Sequence, residues 1–253
     1  MKLSSFVVAV AGKGGVGKST IASLLIRALN ERTGGVVLAV DADPNSNLGQ
    51  KLGVEVERTI GDLREEMLEN ADSIPVGMSK HEYVRYHISL ALLEGEEFDL
   101  LTMGRSEGPG CYCYINNILR TFMDELMDDY GHVIIDNEAG MEHLSRRTTR
   151  RMNALVLVTD ATMIGVETAS RLRELASEME IEIGRMILIV NRVPREIPSA
   201  LKDAISSSGF DRMIQIPNDR QVEELNMVGK PLSSLDGTNR ALRALRKLAS
   251  ELR

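Results

Sequence analysis

The chain has 253 residues, 43% of them hydrophobic and 26% charged, with a formal net charge of −7. That length and balance suit one α/β domain whose core holds without disulfides or structural metals, so residues 1–253 are expected to form a single domain. The acidic charge weighs against a nucleic-acid partner. No secretory leader or membrane-length apolar stretch is legible, so a cytoplasmic protein with no membrane partner is expected.

In chain order, residues 6–10 form an apolar run ending in a glycine-rich loop, and residues 21–29 carry helical spacing with Leu24, Leu25, Ala28 and Leu29 on one side. Further strands are expected over 36–40, 98–102, 132–135, 154–159, 186–190 and 213–216, and helices over 166–179, 200–207 and 240–253. The strands are continuous rather than alternating runs, the pattern of strands covered by helices on both faces. Repeated strand–helix units predict a doubly wound, mostly parallel sheet. The irregular stretch 59–95 reads as two surface helices and loops.

Gly12, Gly17, Lys18 and Ser19 satisfy G-x-x-x-x-G-K-S/T between a buried strand and a helix, the context in which that pattern cradles phosphates. Glycines let backbone N–H groups approach anionic oxygens, and the helix N-terminus adds a favourable dipole. Gly12, Gly14, Gly15, Val16, Gly17, Lys18, Ser19 and Thr20 are the candidate phosphate-binding set, with Lys18 on the β- and γ-phosphates and Ser19 on Mg²⁺.

Asp41 and Asp43 close the next strand in D-A-D-P. Carboxylates there can hold Mg²⁺ waters or orient an attacking water. Asp136 ends the apolar run of residues 132–135 and opens D-N-E-A-G, whose Gly140 N–H can sense a γ-phosphate. Asn191 follows the strand at 186–190. The guanine-selective N-K-x-D pattern fails because position 194 is Pro194, so adenine is favoured and ATP/ADP is the expected nucleotide. Pro217 and Asn218 close the last strand and resemble the later base-contacting loop of a class of P-loop ATPases, which makes them candidate base contacts.

With Lys13 added, K-G-G-x-G-K-S resembles the deviant Walker A motif of the MinD/ParA/nitrogenase-iron-protein class of P-loop ATPases. The resemblance implies a Mg²⁺-dependent ATPase whose Lys13 reaches a partner's nucleotide in a homodimer. It also implies that Asp43 is the catalytic carboxylate of switch I and that Asp41 acts on the metal's water shell.

Cys111 and Cys113 are the chain's two cysteines. Alone, the pair reads more readily as core thiols than as ligands. A two-fold dimer would bring together four sulfurs, a set suited to Zn²⁺ or, if planar, to Ni²⁺. The run G-P-G-C-Y-C-Y-I-N-N and the later A-G-M-E-H-L-S-R, residues 139–146, resemble the carbon monoxide dehydrogenase accessory ATPases. That resemblance implies a Ni²⁺ or Zn²⁺ site made by Cys111 and Cys113 of both subunits, formed as ATP or metal drives dimerisation. Its client would be carbon monoxide dehydrogenase or, alternatively, acetyl-CoA synthase. His143 stays outside the ligand set.

A MinD- or ParA-like positioning ATPase is the rival reading. Its support is the basic, amphipathic C-terminus, with Leu242, Leu245, Leu248, Ala249 and Leu252 on one side. A helix packed on the sheet is the preferred reading of that segment. An iron–sulfur carrier of the nitrogenase-iron-protein kind would need two well-separated cysteines per chain, and these are one residue apart.

Overall fold

All seven side chains of the first strand, β1 (Phe6–Gly12), are shielded from water, because apolar layers cover both of its faces. The protein is described by a computed structural model over residues 5–69, 75, 77–105, 113–140, 151–179 and 181–252. The other strands are β2 (Val37–Asp41), β3 (Leu92–Leu93), β4 (Phe98–Thr102), β5 (His132–Asp136), β6 (Arg151–Asp160), β7 (Glu182–Val193) and β8 (Arg212–Pro217). Among the described residues they form one sheet in the order β3-β4-β2-β5-β1-β6-β7-β8. Every pairing is parallel except β3 with β4. The expected doubly wound, mostly parallel sheet is therefore the fold of this chain. The antiparallel edge strand β3 was not anticipated, since two leucines carry no periodicity.

The helices are α1 (Lys18–Thr33), α2 (Asn47–Leu52), α3 (Ile60–Glu69), α4 (Lys80–Ser89), α5 (Cys113–Met127), α6 (Met163–Glu178), α7 (Ser199–Ser207), α8 (Arg220–Met227) and α9 (Arg240–Glu251). Alternate strand residues serve opposite layers. Val8, Val10, Ala39 and Ile134 pack with α1 and α9, whereas Val7, Ala9, Val40 and Ile135 pack with α3 to α7. Helix boundaries follow local chemistry. α1 stops where Gly34 takes a left-handed φ of 65°, and α4 starts at a reciprocal capping box between Ser79 and Glu82.

Two expectations change in detail. The stretch 59–95 does contain helices, but they are not merely superficial. Ile60, Leu63, Val84 and Ile88 are each no more than 2% exposed and join the core beneath α5. Their short apolar faces are diluted by charge, which hides the pattern in the sequence. Strand β7 runs for twelve residues rather than five, because its exposed polar first half still pairs with β6.

The C-terminal segment forms α9. Its Leu242, Leu245, Leu248, Ala249 and Leu252 have no exposed surface, and Arg246 pairs with Glu31 of α1. The apolar side that could have met a bilayer is therefore already used by α1 and the sheet. No described helix is long and apolar enough to cross a membrane. Leu245→Ala should lower unfolding stability by about 2–5 kcal/mol, measured by urea titration with an unchanged m-value. A loss under about 0.5 kcal/mol, the range of surface substitutions, would show that α9 is not docked as described.

Candidate functional site

The chain passes from β1 outward to β2 on one side, and from β5 across β1 to β6 on the other, so a crevice opens at the carboxyl ends of the central strands. The phosphate-loop residues lie there. Gly12 has φ 146°, and a Cβ on it would stand 2.3 Å from the Val158 carbonyl oxygen, so no side chain is admissible. Gly17 has φ 97°, and a Cβ there would meet the Asn191 amide at 2.6 Å. Lys13, Gly14 and Gly15 are exposed, whereas Val16 and Lys18 are buried. The Lys18 ammonium donates to the Lys13 carbonyl at 3.3 Å. α1 opens at Lys18 with no side-chain cap and no acidic residue in its first turn. Its free N–H groups and dipole are thus available to an anion.

The carboxylates converge because parallel register aligns them. Asp41 pairs with Asp136 across β2 and β5, and Asp136 pairs with Val10 across β5 and β1. Neither aspartate has exposed surface. Burial pushes the Asp136 carboxyl up to about 7, opposed by the nearby Ser19 hydroxyl and reinforced by Asp41. Among the described residues no donor makes a well-formed hydrogen bond to either Asp136 oxygen, and the Ser19 hydroxyl is the neighbour that eases its charge. Burial likewise raises Asp41 to about 6, although its oxygens accept from the Asp43 amide at 3.1 Å and the Leu48 amide at 2.9 Å. Asp41 thus holds the start of α2 as well as facing the crevice. Asp43, 9% exposed, accepts from the backbone and side-chain nitrogens of Asn45, both at 2.9 Å.

A hard cation suits this arrangement. Buried carboxyl oxygens without donors are costly when charged, and Mg²⁺ is held by one or two carboxylates together with water and phosphate oxygens. Asp136, with Ser19 beside it, could hold such an ion. Beyond Asp136, the Gly140 amide reaches the Gly12 carbonyl at 3.4 Å, so the D-x-x-x-G loop lies over the phosphate loop.

Next to the phosphate loop is a cavity of about 480 Å³ lined by Thr20, Asn191, Pro217, Asn218 and Asn226, among others. The expected base contacts are therefore brought together. The Asn191 amide donates to the Val16 carbonyl at 2.8 Å, tying the base side to the phosphate side. Sequence reasoning missed Arg192 and Asn226. Arg192 sits at an irregularity in the β7–β8 ladder with φ 54°, and its guanidinium donates to the Gly15 carbonyl at 3.2 Å. A left-handed non-glycine residue costs about 1–2 kcal/mol, and only the arginine adjoining Asn191 could have hinted at it.

Other expected residues lie outside the described set. Cys111 and His143 are among them, and Cys113 is placed only by its backbone at the start of α5. Among the described residues no three His, Cys, Asp or Glu side chains gather as ligands for one ion.

Both raised carboxyls bind protons more tightly in the folded chain than in the unfolded one. Their contribution to nucleotide-free stability is therefore fully present below about pH 4 and falls away as pH rises through about 6 and 7. Asp136→Asn should flatten the fall in melting temperature across that window and raise it at pH 8, while abolishing Mg²⁺-dependent nucleotide binding. Thermal unfolding from pH 4 to 8 checks this, and an unchanged pH slope would contradict it.

Comparison with known proteins agrees with this geometry. Residues 7–232 match the CobQ/CobB/MinD/ParA nucleotide binding domain. The chain is 42% identical to an uncharacterised ATP-binding protein of Methanocaldococcus jannaschii, covering 97% of this chain and 98% of that one. It is 31% identical to the carbon monoxide dehydrogenase accessory protein CooC of Rhodospirillum rubrum, covering 88% of this chain and 87% of that one. The structure superposes on the cell division ATPase MinD of Pyrococcus furiosus with a TM-score of 0.70 at 21% identity, covering 98% of each chain. The chain belongs to the CobQ/CobB/MinD/ParA family of P-loop ATPases.

Proposed function

We propose that this ATPase is a dimerising switch that couples Mg²⁺-ATP binding and hydrolysis to the engagement of a protein client. The observation that carries this reading is the fully buried Asp136 carboxylate, with no well-formed hydrogen bond among the described residues and with Ser19 and Lys18 beside it, next to a loop whose Lys13 is exposed.

Gly12, Gly14, Gly15, Val16, Gly17 and Thr20 surround the phosphates, with Lys18 on their β- and γ-oxygens. Asn191, Pro217 and Asn218 meet the adenine. Asp136 and Ser19 hold Mg²⁺, which neutralises phosphate charge when bound, and Asp41 orders the loop leading into α2. Asp43 accepts a proton from the attacking water as the water oxygen bonds to the γ-phosphorus. The bond from that phosphorus to the β–γ bridging oxygen breaks, releasing ADP and phosphate. Gly140 loses its phosphate contact, and its amide returns to the Gly12 carbonyl that it meets in this structure. Lys13 is exposed because its partner is the nucleotide of a second copy. Lys18 bonds the backbone carbonyl of Lys13 and not its side chain.

Lys13→Ala should keep Mg²⁺-ATP affinity within about threefold, remain monomeric with ATP, and lose at least about tenfold in turnover. Light scattering and phosphate release measure both effects. A variant that still dimerises and turns over at the wild-type rate would refute the Lys13 assignment.

A narrower reading is favoured by the 31% identity to the carbon monoxide dehydrogenase accessory protein. It is also favoured by the Cys111-Tyr112-Cys113 run, which that resemblance makes a shared Ni²⁺ or Zn²⁺ site. Under it the metal is cargo, and the client is carbon monoxide dehydrogenase or acetyl-CoA synthase. Co-expression with each apo-enzyme should show nickel-dependent activation that falls at least about tenfold in the Cys111→Ala/Cys113→Ala double variant. Equal activation by both forms would exclude the nickel role and leave the positioning type of ATPase as the better description.

A further inference from the structure

Helix α2, which follows the Asp41–Asp43 loop, and the far wall of the base cavity are joined by a side-chain hydrogen bond between residues 175 positions apart. The Lys51 ammonium, on α2, donates to the Asn226 Oδ1 of α8 at 2.7 Å. Asn226 lines the cavity that also holds Asn191, Pro217 and Asn218. α2 is in turn anchored to the phosphate side, since Asp41 accepts from the Leu48 amide.

The surrounding backbone supports that bridge. A Cβ on Gly53, where φ is 86°, would stand 2.8 Å from Pro231, and one on Gly229, where φ is 65°, would stand 2.9 Å from the Gln50 amide. Gly53 lets α2 lie this close to Pro231, and both turns need the left-handed backbone that glycine adopts without strain. Lys51 is half-buried, and burial holds its ammonium below the usual lysine range. No carboxylate pairs with it among the described residues. A desolvated cation facing a neutral amide contributes little as an ion pair, so its retention calls for another role.

The chemistry of the pair supplies one. An ammonium has only donors, whereas a carboxamide has one acceptor end and one donor end. Lys51 can bind only the oxygen of Asn226, which fixes the amide flip and leaves the NH₂ group for the cavity. We propose that Lys51 is a positioning residue that presents Asn226 as a hydrogen-bond donor to an acceptor atom of the nucleoside, and so ties that part of the ligand to α2. The proposal rests on the nucleotide reading above and extends it to a contact on the nucleoside rather than the phosphates.

Affinities for Mg²⁺-ATP and for inorganic tripolyphosphate, a probe of the phosphate loop alone, test it on the full chain. Lys51→Met and Asn226→Ala should each weaken ATP binding about tenfold, the cost of one hydrogen bond with a charged partner, and leave tripolyphosphate within about twofold. The double variant should be no worse than either single one. Lys51→Arg, which keeps a charged donor, should recover most of the loss. The proposal is overturned if ATP affinity is unchanged, if both ligands weaken equally, or if the two losses multiply. A wild-type chain that binds tripolyphosphate but not ATP would overturn the adenine-nucleotide reading itself, a result distinct from failure of the variants.

Discussion

Parallel strand register places two carboxylates where water cannot reach them. β2 and β5 end level with each other, so Asp41 and Asp136 project from the same edge toward α1, and neither has exposed surface. Burial raises the proton affinity of both, and the nearby Asp41 raises that of Asp136 further. A sheet made for stability alone would end these strands in apolar or capped residues. Here the compensating positive charge comes from the opposite wall, through Lys18 and the uncapped start of α1. An arrangement that is unfavourable when empty and favourable with a cation and phosphates present is a preorganised binding site.

The remainder of the crevice follows from holding that edge still. The Asp41 oxygens organise the loop into α2, the Asn137 amide continues the ladder from Val10, and Gly140 meets Gly12. Asn191 and Arg192 grip the phosphate loop from the other side. The loop after β2, the D-x-x-x-G loop and the Asn191–Arg192 turn are therefore each attached to the phosphate loop or its flanking strands by one or two bonds. Such attachments are weak enough to exchange when a γ-phosphate offers better partners. The helices behind the sheet provide the rigid reference. α9 is sealed against α1 by leucines with no exposed surface, and α1 begins at Lys18.

Local patterns made much of this legible before any coordinates. The unbroken apolar runs around Val8, Ala39 and Ile134 could only be strands covered on both faces. Gly12, Gly17 and Lys18 at their spacing between a strand and a helix identify the phosphate loop. The carboxylates were found for the same reason, since each ends such a run. What escaped depends on contacts between distant segments. Lys51 looks like an ordinary surface lysine until α8 is folded against it, and the left-handed Arg192 has no signature beyond its neighbour Asn191. Ile60 and Val84 sit among charges, so their burial beneath α5 is a property of the assembled layer and not of their own segments. The cysteine pair is the reverse case, conspicuous in the sequence because of a resemblance rather than a physical pattern.

Linkage between nucleotide and metal tests the central account most directly, because a buried carboxylate site should bind neither partner well without the other. The unfolding temperature of the full chain should be followed as ADP is titrated with and without Mg²⁺. The account predicts that ADP and Mg²⁺ together raise it steadily with the logarithm of concentration, while either alone has a much smaller effect. Equal stabilisation by ADP in the presence and absence of Mg²⁺ would contradict it, since Asp136 would then have no cation to hold.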